Sequence, residues 1–427
     1  MRKMEKEEEK IITRWWPKNG YLDLAEYQKR GGFSVLKRAL QGEFLPEDVI
    51  EEIENSGLQG RGGAGFPTGS KWRLGRKSFA KAKKEDREKR LKSYFICNAD
   101  ESEPGTYKDR LIIEKSPYLL FEGLLLGAWT MGATDGYIYI NGSYKDTSAL
   151  LKRVITELNQ ENLLGENILG SGFNFQIQVF EGAGSYVCGE ETALINTIEG
   201  KRGEPRLRPP YPIEKGLFKR PTLVNNVETL ALIPYILDRG ASAFKLKSRS
   251  ADSFGLKLFI VNGSVINPGI YEAPLGTTIK ELIDYAGGIP KGKEIRCAQI
   301  GGSSGKLYLP EDFETSLGYS PYQEIPVGSG SVLIIDKNQD LKKLLLAWTA
   351  FFKRESCGKC VPCREGTYQL HLMAEKIQKG TFSSDDLEKI KDIIFTMQKA
   401  SFCPFGSFAT NSWESFLDLF PEEVGKI

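Results

Sequence analysis

Short apolar runs alternate with longer segments of helical periodicity between residues 94 and 198 of the chain. This succession is typical of a mostly parallel sheet with helical crossovers, in which ligands bind beyond the carboxyl ends of the strands. The apolar runs predict strands at 94–98, 137–141 and 173–180. The periodic segments predict helices at 117–131, 145–158 and 192–198.

The pattern changes near residue 248, where a serine-rich stretch indicates a linker. Beyond it we expect a compact α+β module, to which we assign no chemistry of its own, and then a four-helix domain. The module's strands are predicted at 256–261, 295–300 and 332–335, with a helix at 279–286. The later helices are predicted at 341–353, 364–378, 384–399 and 407–420, with Ser384 as an N-cap and Gly380 as a stop. The resulting domains are 1–248, which begins with an N-terminal arm, 249–338 and 339–427.

Four cysteines of the helical region have the spacing of an iron–sulfur site. Cys357, Cys360 and Cys363 follow one another at three-residue steps, and Cys403 comes after 39 intervening residues, directly before a proline. Three thiols in one turn and a distant fourth can bind the four corners of a cubane cluster. Structural zinc usually takes two separate pairs of cysteines, and seven cysteines in 427 residues are too sparse and uneven for a disulfide framework. A helix from about Arg364 would direct free N–H groups at the cluster.

A glycine-rich run, Gly-Arg-Gly-Gly-Ala-Gly-Phe-Pro-Thr-Gly-Ser-Lys-Trp, occupies 60–72. It contains Gly-x-Gly-x-x-Gly, but it follows a predicted helix at 49–55 and meets Pro67, whereas a dinucleotide fingerprint follows a strand. It is not a P-loop, because Phe66 stands where lysine is required. The run indicates a ligand loop whose backbone can lie against a planar or phosphorylated molecule, with Arg61 and Lys71 as cations at its rim.

Carboxylates and amides follow two of the predicted strands. Asn98, Asp100, Glu101 and Glu103 come after the first strand, and residues 181–191 after the third contain three glutamates among glycines. Such acceptors suit sugar hydroxyls and the N–H groups of a heterocycle. A stiff Gly-, Pro- and Arg-rich loop at 200–221 would cover this edge, and 225–229 form a polar turn leading into a helix.

The composition restricts the possible chemistry. The formal net charge of +2 gives no field for nucleic acid or acidic substrates, and His371 is the only histidine, which excludes His-ligated metals and His-based triads. The basic run at 73–92 has one aromatic residue and is interpreted as a solvated loop or extension rather than a nucleic-acid patch. The charged N-terminus predicts no signal peptide, and the longest apolar stretch is too short to span a bilayer. We therefore expect a reducing cytoplasmic compartment and chemistry carried by cofactors.

Five motifs taken together resemble one family. They are the glycine-rich run at 60–69, Asn-Ala-Asp-Glu-Ser-Glu-Pro-Gly at 98–105, Tyr-Val-Cys-Gly-Glu-Glu-Thr at 186–192, Asn-Asn-Val-Glu-Thr at 225–229 and the four-cysteine set. In this order they resemble the NADH-binding, flavin-bearing subunits of respiratory complex I, the NADH-quinone oxidoreductase chains of the F or 51-kilodalton type. The resemblance covers nearly the whole chain.

The resemblance implies a Rossmann-like α/β domain that binds FMN and NADH, a ubiquitin-like (β-grasp) α+β module and a helical [4Fe-4S] domain. It implies NADH dehydrogenase activity, with hydride transfer from NADH to FMN and single electrons passing through the cluster toward quinone, and no catalytic side chain. The metal ligands would be Cys357, Cys360, Cys363 and Cys403. The implied FMN contacts are Gly60, Gly62, Gly65, Lys71, Asn98, Asp100, Glu101, Tyr186, Gly189, Glu190, Glu191, Asn225, Asn226 and Thr229, with Arg61 and Gly63 in the same loop. The implied NAD(H) contacts are Phe66, Lys71, Glu103, Glu191 and Tyr211.

The resemblance also implies partners: a thioredoxin-like [2Fe-2S] subunit of the E type and the remaining peripheral arm of complex I, on the inner face of the cell membrane. Two features depart from the family pattern, Tyr211 where phenylalanine is frequent and an apparent insertion at 76–92. The diaphorase chains of NAD-linked formate dehydrogenases and NAD-reducing hydrogenases resemble the same motifs and form one alternative. A non-enzymatic, metal-stabilised scaffold is the other.

Overall fold

A four-stranded parallel sheet lies at the centre of the N-terminal region of the computed structural model, which describes residues 10–85, 92–320 and 324–424. Its spatial order is β3-β2-β1-β4, so the first strand in the chain is internal. The strands are β1 (Tyr94–Ala99), β2 (Asp135–Asn141), β3 (Gln176–Gly182) and β4 (Thr222–Asn226). The predicted parallel sheet is confirmed, although β3 begins three residues later than expected.

Eleven labelled helices accompany this sheet within the described residues. Two of them, α6 and α10, pack against each other so closely that a Cβ on Gly123 would overlap the Leu230 carbonyl. The helices are α1 (Leu24–Lys29), α2 (Ser34–Leu40), α3 (Pro46–Asn55), α4 (Thr68–Glu85), α5 (Lys108–Lys115), α6 (Pro117–Met131), α7 (Lys145–Gln160), α8 (Glu191–Ile198), α9 (Pro212–Lys215), α10 (Val227–Arg239) and α11 (Ala241–Lys245).

Two sequence interpretations of this region are wrong. The segment 73–85 is not a loop, because it continues α4, whose buried face carries Trp72 and Phe79; residues 86–91 lie outside the described residues, as do 1–9 of the charged terminus. Residues 225–229 are not a turn, because Asn225 and Asn226 end β4 and Val227 begins α10. Strand β4 was not recognised from the sequence because its two ends are polar, although its middle is apolar.

In its described residues, the middle module is a five-stranded mixed sheet in the order β6-β5-β11-β7-β8, with one α-helix, α12 (Ile279–Tyr285). Strands β5 and β11 are parallel neighbours, and the other pairs are antiparallel, which fits the predicted ubiquitin-like class. The strands are β5 (Leu256–Gly263), β6 (Gly269–Pro274), β7 (Ile295–Ile300), β8 (Lys306–Tyr308) and β11 (Ser331–Asp336); a separate pair is β9 (Leu317–Gly318) and β10 (Ile325–Pro326).

The C-terminal region is helical, as predicted, with different boundaries. Helix α14 begins at Val361 rather than near Arg364, the N-cap of α15 is Ser383 rather than Ser384, and the last predicted helix is two helices. Gly380 ends α14 in a left-handed conformation, as expected. The helices are α13 (Leu341–Glu355), α14 (Val361–Lys379), α15 (Ser384–Ala400), α16 (Pro404–Phe408) and α17 (Asn411–Leu419).

Within the described ranges, every helix is either too short or too polar to cross a membrane. The α/β class, the second α+β module and the helical C-terminal region all agree with the sequence expectation.

Candidate functional site

A cleft of about 300 Å³ lies at the carboxyl ends of β1 and β4, where all three regions of the chain meet. The glycine-rich loop and the strand ends form one side, and α13 with residues 403–408 of the helical region forms another. Ten of the sequence-predicted cofactor residues line it: Gly62, Gly63, Asn98, Asp100, Glu101, Glu103, Tyr186, Gly189, Glu190 and Asn226. The edge of the sheet that the sequence indicated is therefore a concave site.

The glycine-rich loop is a closed turn. The Gly60 amide donates to the Phe66 carbonyl at 2.9 Å, and Gly63 has φ +124, a conformation that side chains disfavour. The loop leads directly into α4 at Thr68, so it does open a helix although it follows one. Gly62 and Gly63 expose their backbone to the cleft. This is the arrangement expected of a loop that approaches a ligand closely.

Two carboxylate oxygens in the cleft wall have no hydrogen-bond partner among the described residues. They are Asp100 Oδ2 and Glu190 Oε1, both shielded from solvent, although Arg208 Nη2 lies 3.6 Å from the latter. Burial raises the pKa of Asp100 to about 7. The other Glu190 oxygen accepts the Thr192 and Ala193 amides at the start of α8, which fixes the carboxylate. A ligand that offers N–H or O–H groups would satisfy both acceptors.

Glu101 and Glu103 also line the cleft, but the protein already satisfies much of their hydrogen-bonding capacity. Glu101 accepts the Asp109 and Arg110 amides at 3.2 and 3.1 Å, and burial and then Asp109 raise its pKa to about 7. Glu103 Oε1 accepts the amide and hydroxyl of Ser304 at 3.2 and 3.0 Å, and burial raises its pKa. These glutamates hold the walls of the cleft together as well as facing it.

Three charged side chains form a group at the far end of the glycine-rich loop. Lys71 Nζ donates to Glu191 Oε2 at 3.0 Å and to the Val224 carbonyl at 2.8 Å, and Arg208 Nη1 lies 3.5 Å from Glu191 Oε1. Burial alone would raise the pKa of Glu191, but Lys71 and Arg208 outweigh it and hold the pKa below its ordinary value. The rings of Phe66 and Tyr211 are half-exposed, as sites for stacking require.

Several predicted cofactor residues support the site from behind the cleft wall. Arg61 is fully buried, donates to the Gln59 and Phe254 carbonyls, and is not the rim cation that the sequence suggested. Thr229 Oγ1 accepts the Arg61 amide at 2.9 Å, and Asn225 Oδ1 accepts from Trp72 Nε1 at 3.0 Å. Gly60 closes the loop, and a Cβ on Gly65 would overlap the Tyr319 ring. These five residues do not line the cleft itself. The same is true of Phe66, Lys71, Glu191 and Tyr211.

The four predicted metal ligands come together from two helix connections. Cys360 precedes α14, Cys363 lies in its first turn, and Cys403 precedes α16 and lines the cleft. The other three thiols act electrostatically on Cys363, and burial raises its pKa to about 12 and that of Cys403 to about 11. All seven cysteines of the chain are free. In the described part of the chain, no group of three or more His, Cys, Asp or Glu side chains is arranged to bind a single metal ion. The fit to an iron–sulfur cluster therefore rests on the number of these cysteines, their spacing in the sequence and their convergence from two connections.

The sequence missed the contribution of the middle module. Ser304, Gly328 and Ser329 line the cleft, although no chemistry was assigned to this module. The signal available was the pair of glycine–serine runs at 301–305 and 328–330. Other cleft residues, none of them predicted individually as a cofactor contact, are Ala64, Ser102, Thr106, Lys108, Asp109, Val187, Phe352, Pro404, Phe405 and Phe408.

The residues present fit the cofactors that the resemblance implies. Two orphaned acceptors suit the ring N–H and ribityl hydroxyls of a flavin, and a Cβ placed on Gly189 meets nothing within 4 Å, so the cleft is open at that point. Four free thiols on two connections, with unpaired amides at the start of α14, suit a cluster of four irons.

Three family models match the chain in the same order as these regions. Residues 53–235 match the Nuo51 FMN-binding domain, and residues 343–426 match the NADH-ubiquinone oxidoreductase-F iron-sulfur binding region. Residues 258–307, in the middle module, match the SLBB domain.

The similar proteins extend over almost the whole chain. The F subunit of NADH-quinone oxidoreductase from Aquifex aeolicus (strain VF5) is 44% identical over 406 residues, which are 94% of this chain and 90% of the relative. The Escherichia coli (strain K12) protein of the same name is 40% identical over 408 residues, 94% of this chain and 88% of the relative. A chain in the crystal structure of air-oxidised NAD+-reducing [NiFe]-hydrogenase superposes with a TM-score of 0.80 at 34% identity, covering 92% of this chain; this chain spans 64% of it.

Proposed function

This chain belongs to the family of NADH-quinone oxidoreductase F subunits, and from that premise we propose which of its residues carry the reaction. As a member of the family it is the NADH dehydrogenase subunit of a multi-subunit oxidoreductase, with an FMN-binding domain and an iron–sulfur region. When bound, FMN accepts two electrons as hydride from NADH and releases them one at a time, and a [4Fe-4S] cluster accepts single electrons.

The cleft residues hold and orient the flavin. Asp100 Oδ2 and Glu190 Oε1 accept its N–H or hydroxyl donors, which supplies the hydrogen bonds that these buried oxygens lack in the protein alone. Gly62, Gly63 and Gly189 allow the ligand to approach the backbone without meeting a Cβ. Asn98 and Asn226, register partners on adjacent strands, both line the cleft.

The dinucleotide binds at the outer side of the site. It contacts the half-exposed rings of Phe66 and Tyr211 and the charged group formed by Lys71, Glu191 and Arg208. The rings supply stacking faces, and the paired charges supply donors and acceptors for ribose hydroxyls and phosphates. The protein therefore contributes orientation and exclusion of water, and needs no acid–base side chain for hydride transfer.

The observation that carries this proposal is that Cys403, a cluster ligand by spacing, lines the same cleft as Asp100 and Glu190. Tyr186 and Phe405 also line the cleft, with ring centroids 5.8 Å apart. The Tyr186 amide donates to Glu355, two residues before Cys357, at 3.0 Å. The same residues would thus contact the flavin on one side and the cluster on the other. This closeness allows rapid transfer of single electrons.

The test is anaerobic addition of NADH to the chain reconstituted with FMN, iron and sulfide. We expect the flavin absorbance to bleach and the reduced cluster to give an EPR signal. The same chain without FMN is the control and should reduce its cluster much more slowly. Unchanged flavin absorbance after NADH addition would contradict the enzymatic function.

For the assembly, we infer a thioredoxin-like [2Fe-2S] partner, the rest of a quinone-reducing peripheral arm, and a place on the cytoplasmic face of the membrane. The second candidate is the diaphorase chain of a NAD+-reducing hydrogenase, which the structural match to such an enzyme favours. Isolation of the native complex and identification of its subunits separates the two. Recovery of nickel–iron hydrogenase subunits instead of a quinone-reducing arm would overturn the first assignment.

A further inference from the structure

A network of buried charges crosses from the middle module into the α/β region. Lys257 on β5 and Glu228 on α10 are both shielded from solvent, and Lys257 Nζ donates to Glu228 Oε2 at 2.9 Å. Lys108 on α5, also buried, places its Nζ 2.9 Å from the same oxygen. Glu228 Oε1 accepts the Leu258 amide at 2.9 Å, so the carboxylate is held from both sides of the boundary.

The network ends in the wall of the cleft. Lys108 Nζ donates to Asp109 Oδ1 at 2.7 Å, and Asp109 Oδ2 accepts from Asn226 Nδ2 at 2.7 Å. Asn226 Oδ1 in turn accepts the Glu228 amide at 3.0 Å, which closes the circuit. Lys108, Asp109 and Asn226 all line the cleft, so the orientation of the Asn226 amide depends on groups that extend into another module.

The charges in this network depend on one another. Burial alone would raise the pKa of Glu228, but Lys108, Lys257 and Arg61 outweigh it and lower the pKa to about 2. Burial lowers the pKa of Lys257 to about 8 in spite of Glu228. An uncompensated buried charge is costly, so without the Lys257 ammonium Glu228 would depend on Lys108 for charge compensation, at the expense of the bond from Lys108 to Asp109. The bond that fixes Asn226 would weaken as a result.

We propose that Lys257 is a positioning residue for the flavin cleft, acting through Glu228, Lys108 and Asp109 on the Asn226 amide. The proposal rests on the proposed function only in taking the cleft as the FMN site. It assigns the middle module a second role. The module lines the cleft with Ser304 and Ser329, and through Lys257 it also compensates the buried charge of Glu228, next to Asn226. Lys257 does not line the cleft, and its effect is transmitted through Glu228, Lys108 and Asp109.

The experiment compares FMN binding by full-length chains carrying Lys257→Met, Lys257→Arg or the control Lys293→Met, with quenching of free FMN fluorescence as the readout. Lys293 belongs to the same module but is partly exposed and pairs with Asp336. We expect Lys257→Met to weaken FMN binding about tenfold, Lys257→Arg to recover part of the loss, and Lys293→Met to bind as the unaltered chain. With saturating FMN, we expect Lys257→Met to lower kcat per mole of bound FMN while leaving the KM for NADH unchanged. Counting active sites by their bound FMN removes the contribution of unfolded chains, which lower the rate per mole of protein but not the rate per mole of bound FMN.

The outcomes separate the two proposals. If the unaltered chain does not bind FMN, the proposed function is wrong; if it binds and Lys257→Met binds equally well, only the positioning role is wrong. Thermal unfolding and iron content check that each variant folds. Should Lys257→Met fail to fold, Lys257→Gln, which removes the charge and keeps a hydrogen-bond donor, is compared with Lys293→Gln, and equal FMN affinity of these two folded chains would overturn the inference.

Discussion

The flavin cleft and the cysteine site lie side by side but are built differently. The cleft is held by hydrogen bonds among buried residues from three regions, such as Glu103 with Ser304 and Asp109 with Asn226. The cysteine site is formed by two helix connections, which supply its four thiols. A site with many contacts should weaken in steps when one contact is removed, whereas a four-ligand site should fail when one ligand is lost.

The largest effect is expected from Cys363→Ser, which removes the most buried of the four thiols. Because a cubane needs all four corners bound, iron content should fall and the EPR signal of the reduced cluster should disappear. Flavin bleaching by NADH should persist, since Cys363 does not line the cleft. Cys297→Ser, at a buried cysteine on β7, is the control and should retain the signal. A normal cluster in Cys363→Ser would refute the ligand assignment.

A graded effect is expected from Gly189→Ala. The added methyl group meets nothing within 4 Å in the protein, so the melting temperature should not change. It would occupy space that we assign to FMN, and we expect FMN binding to weaken about tenfold, as for overpacking of roughly 1.4 kcal/mol. Gly269→Ala, at another glycine with open space around its Cβ, is the matched control. Unaltered FMN affinity in Gly189→Ala would mean that the flavin lies elsewhere.

A smaller effect concerns the stability of the cofactor-free chain and its pH dependence. Burial raises the pKa of Asp100 from 3.8 to about 7, so the folded chain binds a proton that the unfolded chain releases, and stability should fall as pH rises from about 4 to 7. Asp100→Asn removes this titrating group. The free energy of unfolding should therefore fall less between pH 5 and pH 7.5 in the variant than in the unaltered chain, by on the order of 2 kcal/mol. Urea unfolding at both pH values measures it, with the exposed Asp385→Asn as control. An identical slope in Asp100→Asn would contradict the cost assigned to this carboxylate.

The same contrast explains what the sequence could predict. The cysteine site is encoded locally, so the spacing of Cys357, Cys360 and Cys363 was enough to expect it, with Cys403 as the distant member. The strand ends were also local signals, and Asn98, Asp100 and Glu190 do line the cleft. Arg61 was misplaced because its burial depends on Phe254, 193 positions away. Ser304 and Gly328 were missed because only the packing of one module on another brings them to the site.

The smallest effect is expected at Tyr211, outside the cleft. Its ring is 51% exposed, and stacking on a nicotinamide or adenine uses the face of the ring rather than the hydroxyl group. Tyr211→Phe should therefore leave the KM for NADH within about twofold, whereas Tyr211→Ala should raise it about three- to tenfold, the equivalent of about 0.5–1.5 kcal/mol for an aromatic pair. Steady-state NADH oxidation with ferricyanide as acceptor measures both, and Phe218→Ala, at another half-exposed ring, is the control. A large KM increase in Tyr211→Phe would show that the hydroxyl binds the dinucleotide, and the outer site would then depend on hydrogen bonds as the cleft does.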